Sequence, residues 1–175
     1  GRSTTSCTWR RFQQIQDIPS TYFKESRLIR GRVLSVSDGD TLRVRHERRW
    51  WNTRVKEDGE KLSETCLAIR SCTIDTPETA KFGKPGQPFG EEAKEYLKGL
   101  VLDKFVNVRL LDRDQYGRGV AEISYGTLWQ SYVDEKMLQA GLAEVYTGSG
   151  ALYGRLGKEA YLKLQEQAQA NKIGI

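Results

Sequence analysis

The stretch LIRGRVLSVSDGDTLRV, residues 28–44, reads as two strands joined by a turn. Leu28, Ile29, Val33, Leu34 and Val36 make a strand-like apolar run, Ser37-Asp38-Gly39 carries the turn signal, and Thr41, Leu42, Arg43 and Val44 begin the return. Three further runs share this character: CLAIRSCTI at 66–74, KFVNVRLL at 104–111 and RGVAEISY at 118–125. Each is bounded by polar or glycine-containing segments. Between the third and fourth runs, Ala93, Tyr96, Leu97 and Leu100 recur with helical spacing, and Glu91 and Glu92 stand near the positive end of that helix dipole. Val133, Met137 and Leu138 form a second apolar stripe that stops near Gly141, and Leu156, Ala160, Leu164 and Ala168 a third.

The order β-β-β-α-β-β-α-α is that of an α+β fold, a five-stranded OB-fold barrel with three packed helices. A chain of 175 residues suits one domain, since at roughly 150 residues about 68–70% of the chain surface is buried on folding. All apolar stretches are short, which excludes a membrane-spanning segment from the sequence in hand. Cys7, Cys66 and Cys72 cannot all pair within a monomer, which argues for a reducing compartment and against a disulfide-stapled secreted domain, and no disulfide partner is expected. His46 is the only histidine, which argues against a zinc cluster and a histidine-centred triad. The chain opens on Gly1 with no methionine, so either a start inside a longer gene product or a scar left by cloning is expected.

Charge is uneven. The net charge is +5, and residues 1–32 alone hold seven Lys or Arg against two acids, so the remainder is neutral. Such an arm suits phosphate of nucleic acid or of lipid headgroups, and equally a solvated tail. In RHERRWWNTRVK, residues 45–56, arginines flank Trp50 and Trp51; that pattern fits stacking on single-stranded bases or the plugging of a barrel end. The acidic half that follows, EDGEKLSET at 57–65, reads as a solvated loop.

Three segments place charges at strand ends: DGDT at 38–41, then Arg70 followed by Asp75-Thr76-Pro77-Glu78, then DQYGRG at 114–119. Singly, each is an ordinary turn or cap. In this order they resemble the staphylococcal-nuclease (thermonuclease) family over residues 28–175, with 1–27 as a basic N-terminal extension. The loop sequences FGKPGQPF and DQYGR look most like its fungal, membrane-anchored mitochondrial branch.

That resemblance implies a Ca2+-dependent phosphodiesterase, an endonuclease that hydrolyses DNA and RNA, prefers single strands and leaves 3′-phosphate and 5′-hydroxyl ends. Asp40 and Asp75 are hard oxygen ligands for Ca2+, with Mg2+ or Mn2+ as alternatives, and the family pattern adds the carbonyl of Thr76. Glu78 becomes the general base, Arg70 and Arg118 the grip on the scissile phosphate, and Tyr116 and Tyr146 the nucleotide contacts. Gln115 departs from the lysine of many relatives. The segment between Asp40 and Arg70 is longer than in compact bacterial members; it could cap the groove, recruit a partner or do nothing. Alternation places Cys66, Ala68, Arg70 and Cys72 on one strand face, with small apolar packing or redox control as the two roles for the thiols. Mitochondrial, membrane-associated placement is the expectation for location. The competing expectation is a catalytically silent OB-fold module that binds nucleic acid or protein, and a third is a membrane-surface anchor with the barrel as cargo.

Overall fold

The computed structural model describes residues 11–47, 59–81, 83–171 and 174. Strand β1 (Leu28–Asp38) turns Ile29, Val33 and Val36 inward, and the chain returns as β2 (Thr41–His46). Its register to β2 shifts between Val33 and Ser35 and again between Val36 and Asp38, and such irregularities bend and twist a long strand. Then come β3 (Leu67–Ser71), β4 (Ile74–Asp75), β5 (Phe105–Arg113), β6 (Gly119–Tyr125), β7 (Ser131–Tyr132) and β8 (Glu144–Val145). The order β3-β2-β1-β5-β6-β7 is antiparallel throughout, and a parallel pairing of β3 with β6 closes the first five into a barrel. The expected five-stranded barrel is present.

The run 66–74, expected as one strand, is broken in two. Ser71 N–H donates to the Asp40 carbonyl at 2.8 Å and Cys72 N–H to the Ala121 carbonyl at 3.0 Å. Beyond these bonds the chain leaves the barrel, and Ile74 and Asp75 pair instead with Val145 and Glu144 of β8. The break at Cys72-Thr73 carries no glycine, proline, asparagine or aspartate, so the sequence offers no turn signal for it.

Helices α1 (Ser20–Lys24), α2 (Leu62–Thr65), α3 (Gly90–Val101), α4 (Val133–Gln139) and α5 (Lys158–Ala170) surround the barrel. Ala93, Leu97 and Val101 of α3, with Met137 and Leu138 of α4, join Leu42, Leu67, Ile69 and Ile123 in one core. Truncating a side chain such as Leu97 to alanine there typically costs about 2–5 kcal/mol. Gly141, at φ +65°, ends α4 as its spacing suggests. The third stripe needs correcting: Leu156 precedes α5, Ala160 and Leu164 are half-buried, and the anchor is Tyr161, fully buried beside Ala168.

Two other boundaries shift. Ile15, Ile18 and Phe23 lie in the core, so the division at residue 27 does not coincide with the edge of the packed body. Apolar side chains at those positions dock the segment despite its charge. Residues 62–65 of the expected loop are helical, and Trp50 and Trp51 lie outside the described residues. Among the described residues, no helix is long and apolar enough to cross a membrane.

Candidate active site

The closure of the barrel gathers the charged strand ends. Gly39 lets the β1–β2 turn sit against α3 and the Asp75–Glu78 segment: a Cβ there would stand 2.8 Å from that of Ala93 and 3.0 Å from that of Thr76. The two aspartates of this turn then diverge. Asp38 faces the loop after Glu78, accepting from Thr79 Oγ1 at 2.7 Å and pairing with the Lys81 ammonium. Burial pushes its carboxyl up, and Lys81 and Thr79 more than offset that, leaving it below the usual range. Asp40 faces the other way; its Oδ1 accepts from Thr41 Oγ1 at 2.8 Å and its Oδ2 lies 3.4 Å from Arg70 Nε. Burial raises the Asp40 carboxyl, with Arg70 pulling it back. A cation beside it would favour the charged form.

Arg70 lies opposite Thr41 in β2 and Val120 in β6, at the seam of the barrel. Its Nη2 donates to Asp75 Oδ1 at 2.9 Å, so one guanidinium bridges Asp40 and Asp75, and it sits 5.3 Å from the Tyr146 ring centroid. The same seam brings in Arg118, whose Nη1 donates to Thr41 Oγ1 at 3.3 Å. Arg118 Nε donates to Asp114 Oδ2 at 2.6 Å, and its guanidinium lies 5.5 Å from the Tyr116 ring. Asp114 also accepts the backbone N–H groups of Tyr116 and Arg118, which fixes the DQYGR turn and aims the arginine. Its role was legible as an aspartate opening a glycine turn.

Glu78 presents an exposed carboxylate, 3.5 Å from Lys81 Nζ. Its backbone is clamped from both sides by Gln87: Glu78 N–H donates to Gln87 Oε1, and Gln87 N–H donates to the Glu78 carbonyl, both at 2.8 Å. A Cβ on Gly90 would lie 2.5 Å from that carbonyl, so α3 can begin here only with glycine. Nothing in the spacing of the sequence pointed to Gln87.

Asp40, Arg70, Asp75, Glu78, Tyr116, Arg118 and Tyr146 line one cleft of about 460 Å³. Thr76 stands behind them, lining an adjoining hollow with Asp75 and Pro77; its buried Oγ1 has no partner among the described residues. Cys72 also lines the cleft, while Cys66 lies beside Thr65 and outside it, so alternation does not bring both thiols to Arg70. Burial raises both thiols, and both are unpaired; Cys7 lies outside the described residues.

Counting charges, five acids (Asp40, Asp75, Glu78, Asp112, Asp114) face three arginines (Arg70, Arg113, Arg118) around this cleft. A phosphodiester entering alone would meet a net negative lining. Among the described residues, no three of His, Cys, Asp and Glu stand close enough to hold a metal ion by themselves. The two bridged carboxylates nonetheless fit an oxygen-seeking divalent cation, whose open shell would take carbonyl, water and phosphate oxygens in addition.

Comparison with known proteins identifies the family. The family model described as staphylococcal nuclease homologue matches residues 68–175. "Endonuclease Htp3" of Saprolegnia parasitica is 44% identical over 169 residues, covering 95% of this chain and 79% of that protein. "Probable endonuclease lcl3" of Schizosaccharomyces japonicus is 34% identical over 184 residues, covering 95% of this chain and 79% of its own. A "probable endonuclease LCL3" of Komagataella phaffii is 35% identical over 175 residues, covering 94% and 76%. With the family model matched over residues 68–175 and relatives 34–44% identical over nearly the whole chain, this protein belongs to the staphylococcal nuclease homologue family.

Proposed function

We propose that this chain, a nuclease of the hydrolase class, is a divalent-cation-dependent endonuclease that cuts DNA and RNA, prefers single strands and leaves 3′-phosphate and 5′-hydroxyl ends. The observation that carries the reading is the convergence of Arg70, Arg118 and the bridged pair Asp40–Asp75 in one cleft. Asp40 and Asp75 would hold Ca2+, with Mg2+ or Mn2+ as alternatives and the Thr76 carbonyl as a further donor. When bound, the cation supplies charge neutralisation and polarisation of a phosphoryl oxygen.

The remaining steps fall to the chain's own residues. Arg70 and Arg118 bind the phosphoryl oxygens and stabilise the charge that grows there as the new O–P bond forms and the bond to the 5′-oxygen breaks. Glu78 accepts the proton of the attacking water; its exposure leaves it open to solvent, and Gln87 fixes its backbone. The leaving 5′-oxygen is protonated from solvent. Tyr116, 73% exposed, offers a face to an unpaired base, which supports the single-strand preference. Nothing in this set addresses the 2′ position, which supports activity on both sugars. Placement at a mitochondrial membrane belongs to the same reading and rests on resemblance; fractionation of cells expressing the gene tests it.

Cleavage of single-stranded DNA should appear with added divalent cation and vanish with chelator, and it should fall steeply in Glu78→Gln and Arg70→Ala. Binding without cutting in Ca2+, Mg2+ and Mn2+ alike would overturn the proposal in favour of a silent binding module.

A further inference from the structure

Beyond the cleft, the same outer face of the barrel continues into a second hollow of about 260 Å³, lined by Arg109, Glu122, Ser124, Tyr132 and Arg155 among others. Strand geometry shows the continuity. On β6, Val120 lines the cleft while Glu122 and Ser124 line the hollow, alternate residues stepping about 7 Å along one face. On β5, Asp112 lies opposite Val120 and lines the cleft, and Arg109 lies opposite Glu122 and lines the hollow. Positions three apart would point to opposite faces of a regular strand; the register shift between Leu110 and Asp112 brings both to one side. A third segment spans the two in the same order, with Ser149, Gly150 and Leu152 at the cleft and Arg155 at the hollow.

The chemistry of the hollow suits a nucleotide. Buried Glu122 accepts from Arg109 Nε at 3.0 Å with one oxygen and from the backbone N–H of Arg155 with the other, so its charge is engaged, the Arg109 guanidinium is held by it and the Arg155 backbone is fixed beside it. Arg109 gives two of its five N–H groups to this carboxylate and has three left. The Arg155 guanidinium lies 4.3 Å from the Tyr132 ring centroid, with Nη2 2.8 Å from Glu135. Immediately before Gln130, another lining residue, Leu128 and Trp129 are 89% and 88% exposed in the β6–β7 loop. Aromatic faces beside arginines are the usual means of holding an unpaired base and its phosphate. A lipid surface would also accept an exposed Trp-Leu pair, but the polar lining and its continuity with the cleft favour a strand lying across both.

We propose that this hollow is a distal subsite for the single-stranded substrate: Arg109 and Arg155 contact a phosphate beyond the scissile one, and Tyr132 and Trp129 take the adjoining base. It rests on the nuclease reading above, and the test separates the two. Labelled oligothymidylates of increasing length are titrated by fluorescence anisotropy, with Ca2+, against the full chain carrying Glu78→Gln, in which cutting should be too slow to disturb the titration. Affinity should rise with length until the hollow is reached. Adding Arg155→Gln, Trp129→Ala or Tyr132→Ala should remove about tenfold of that gain, and Arg155→Gln should also lower the salt slope by about 0.7. Trp129 is exposed, so its variant carries the test if Tyr132→Ala fails to fold. An unaltered length dependence and salt slope in the Trp129 and Arg155 variants overturns the subsite, as does loss of binding to anionic vesicles on Trp129→Ala with oligonucleotide binding intact. Absence of cutting by the unsubstituted chain overturns the nuclease reading instead.

Discussion

Arg70 combines two tasks in one planar group: it holds Asp40 and Asp75 on the same side of the cleft, and it faces the space a phosphate would enter. A lysine carries the same charge but cannot bridge two carboxylates with a fixed fork of donors. Arg70→Lys should therefore lower kcat on single-stranded DNA by about 10²–10³, close to the loss for Arg70→Ala, as steady-state cleavage would show. Substantial rescue by lysine would mean that charge alone suffices. At this scale the site was largely legible, because Asp40, Arg70, Asp75, Glu78 and Arg118 fall within short motifs whose order can be read directly. The supporting contacts were less so. Asp114 had a turn signal, whereas the partner of Asp38 is Lys81, a pairing across 43 positions that no local spacing encodes.

Between the strands and α3, the segment around Glu78 is held by contacts that skip along the chain, and this explains why some elements could be read and others not. Helix α3 and strands β1, β2, β5 and β6 announce themselves through periodicity, a property of neighbouring residues. The end of β3 at Ser71, the pairing of β4 with β8 and the grip of Gln87 on Glu78 depend on where distant backbone groups find partners. The Gln87 grip has a measurable consequence. Gln87→Ala removes an acceptor for Glu78 N–H and frees the backbone that carries the carboxylate; loss of one such bond corresponds to roughly three- to tenfold. The loss should fall on kcat, with KM little changed, since phosphate binding belongs to Arg70 and Arg118. Gln87→Glu retains an acceptor at the same place and should recover most of the rate. A fall in KM affinity, or no recovery with glutamate, would show that residue 87 acts in another way.

For the molecule as a whole, the barrel, α4 and the cleft are joined through one buried acid that the motifs did not reveal. Asp134, fully buried at the start of α4, accepts from Ser71 Oγ and, at 3.7 Å, from Cys72 Sγ, in the segment that follows Arg70. Burial raises its carboxyl to about 6 from an ordinary 3.8, while bonds from Ser71, Thr73 and Cys72 act in the opposite sense and nearby Glu122 adds to the rise. The folded state thus binds the proton more tightly than the unfolded chain. The associated stability is fully present below pH about 4, declines as pH rises through about 6 and is absent above it, a swing of about 3 kcal/mol. Asp38 and Asp114, held below their ordinary range, act with the opposite sign: they stabilise above about pH 4 and lose that contribution in acid. Total stability against pH would therefore blur the two effects, but the difference between the native chain and Asp134→Asn isolates one. An amide cannot ionise, so the stability of the variant relative to the native protein should climb between pH 4 and pH 6.5 and level off beyond it. Urea midpoints with slopes, taken across that range, measure this directly, and a difference independent of pH would show that Asp134 titrates in the folded protein as it does in the unfolded chain.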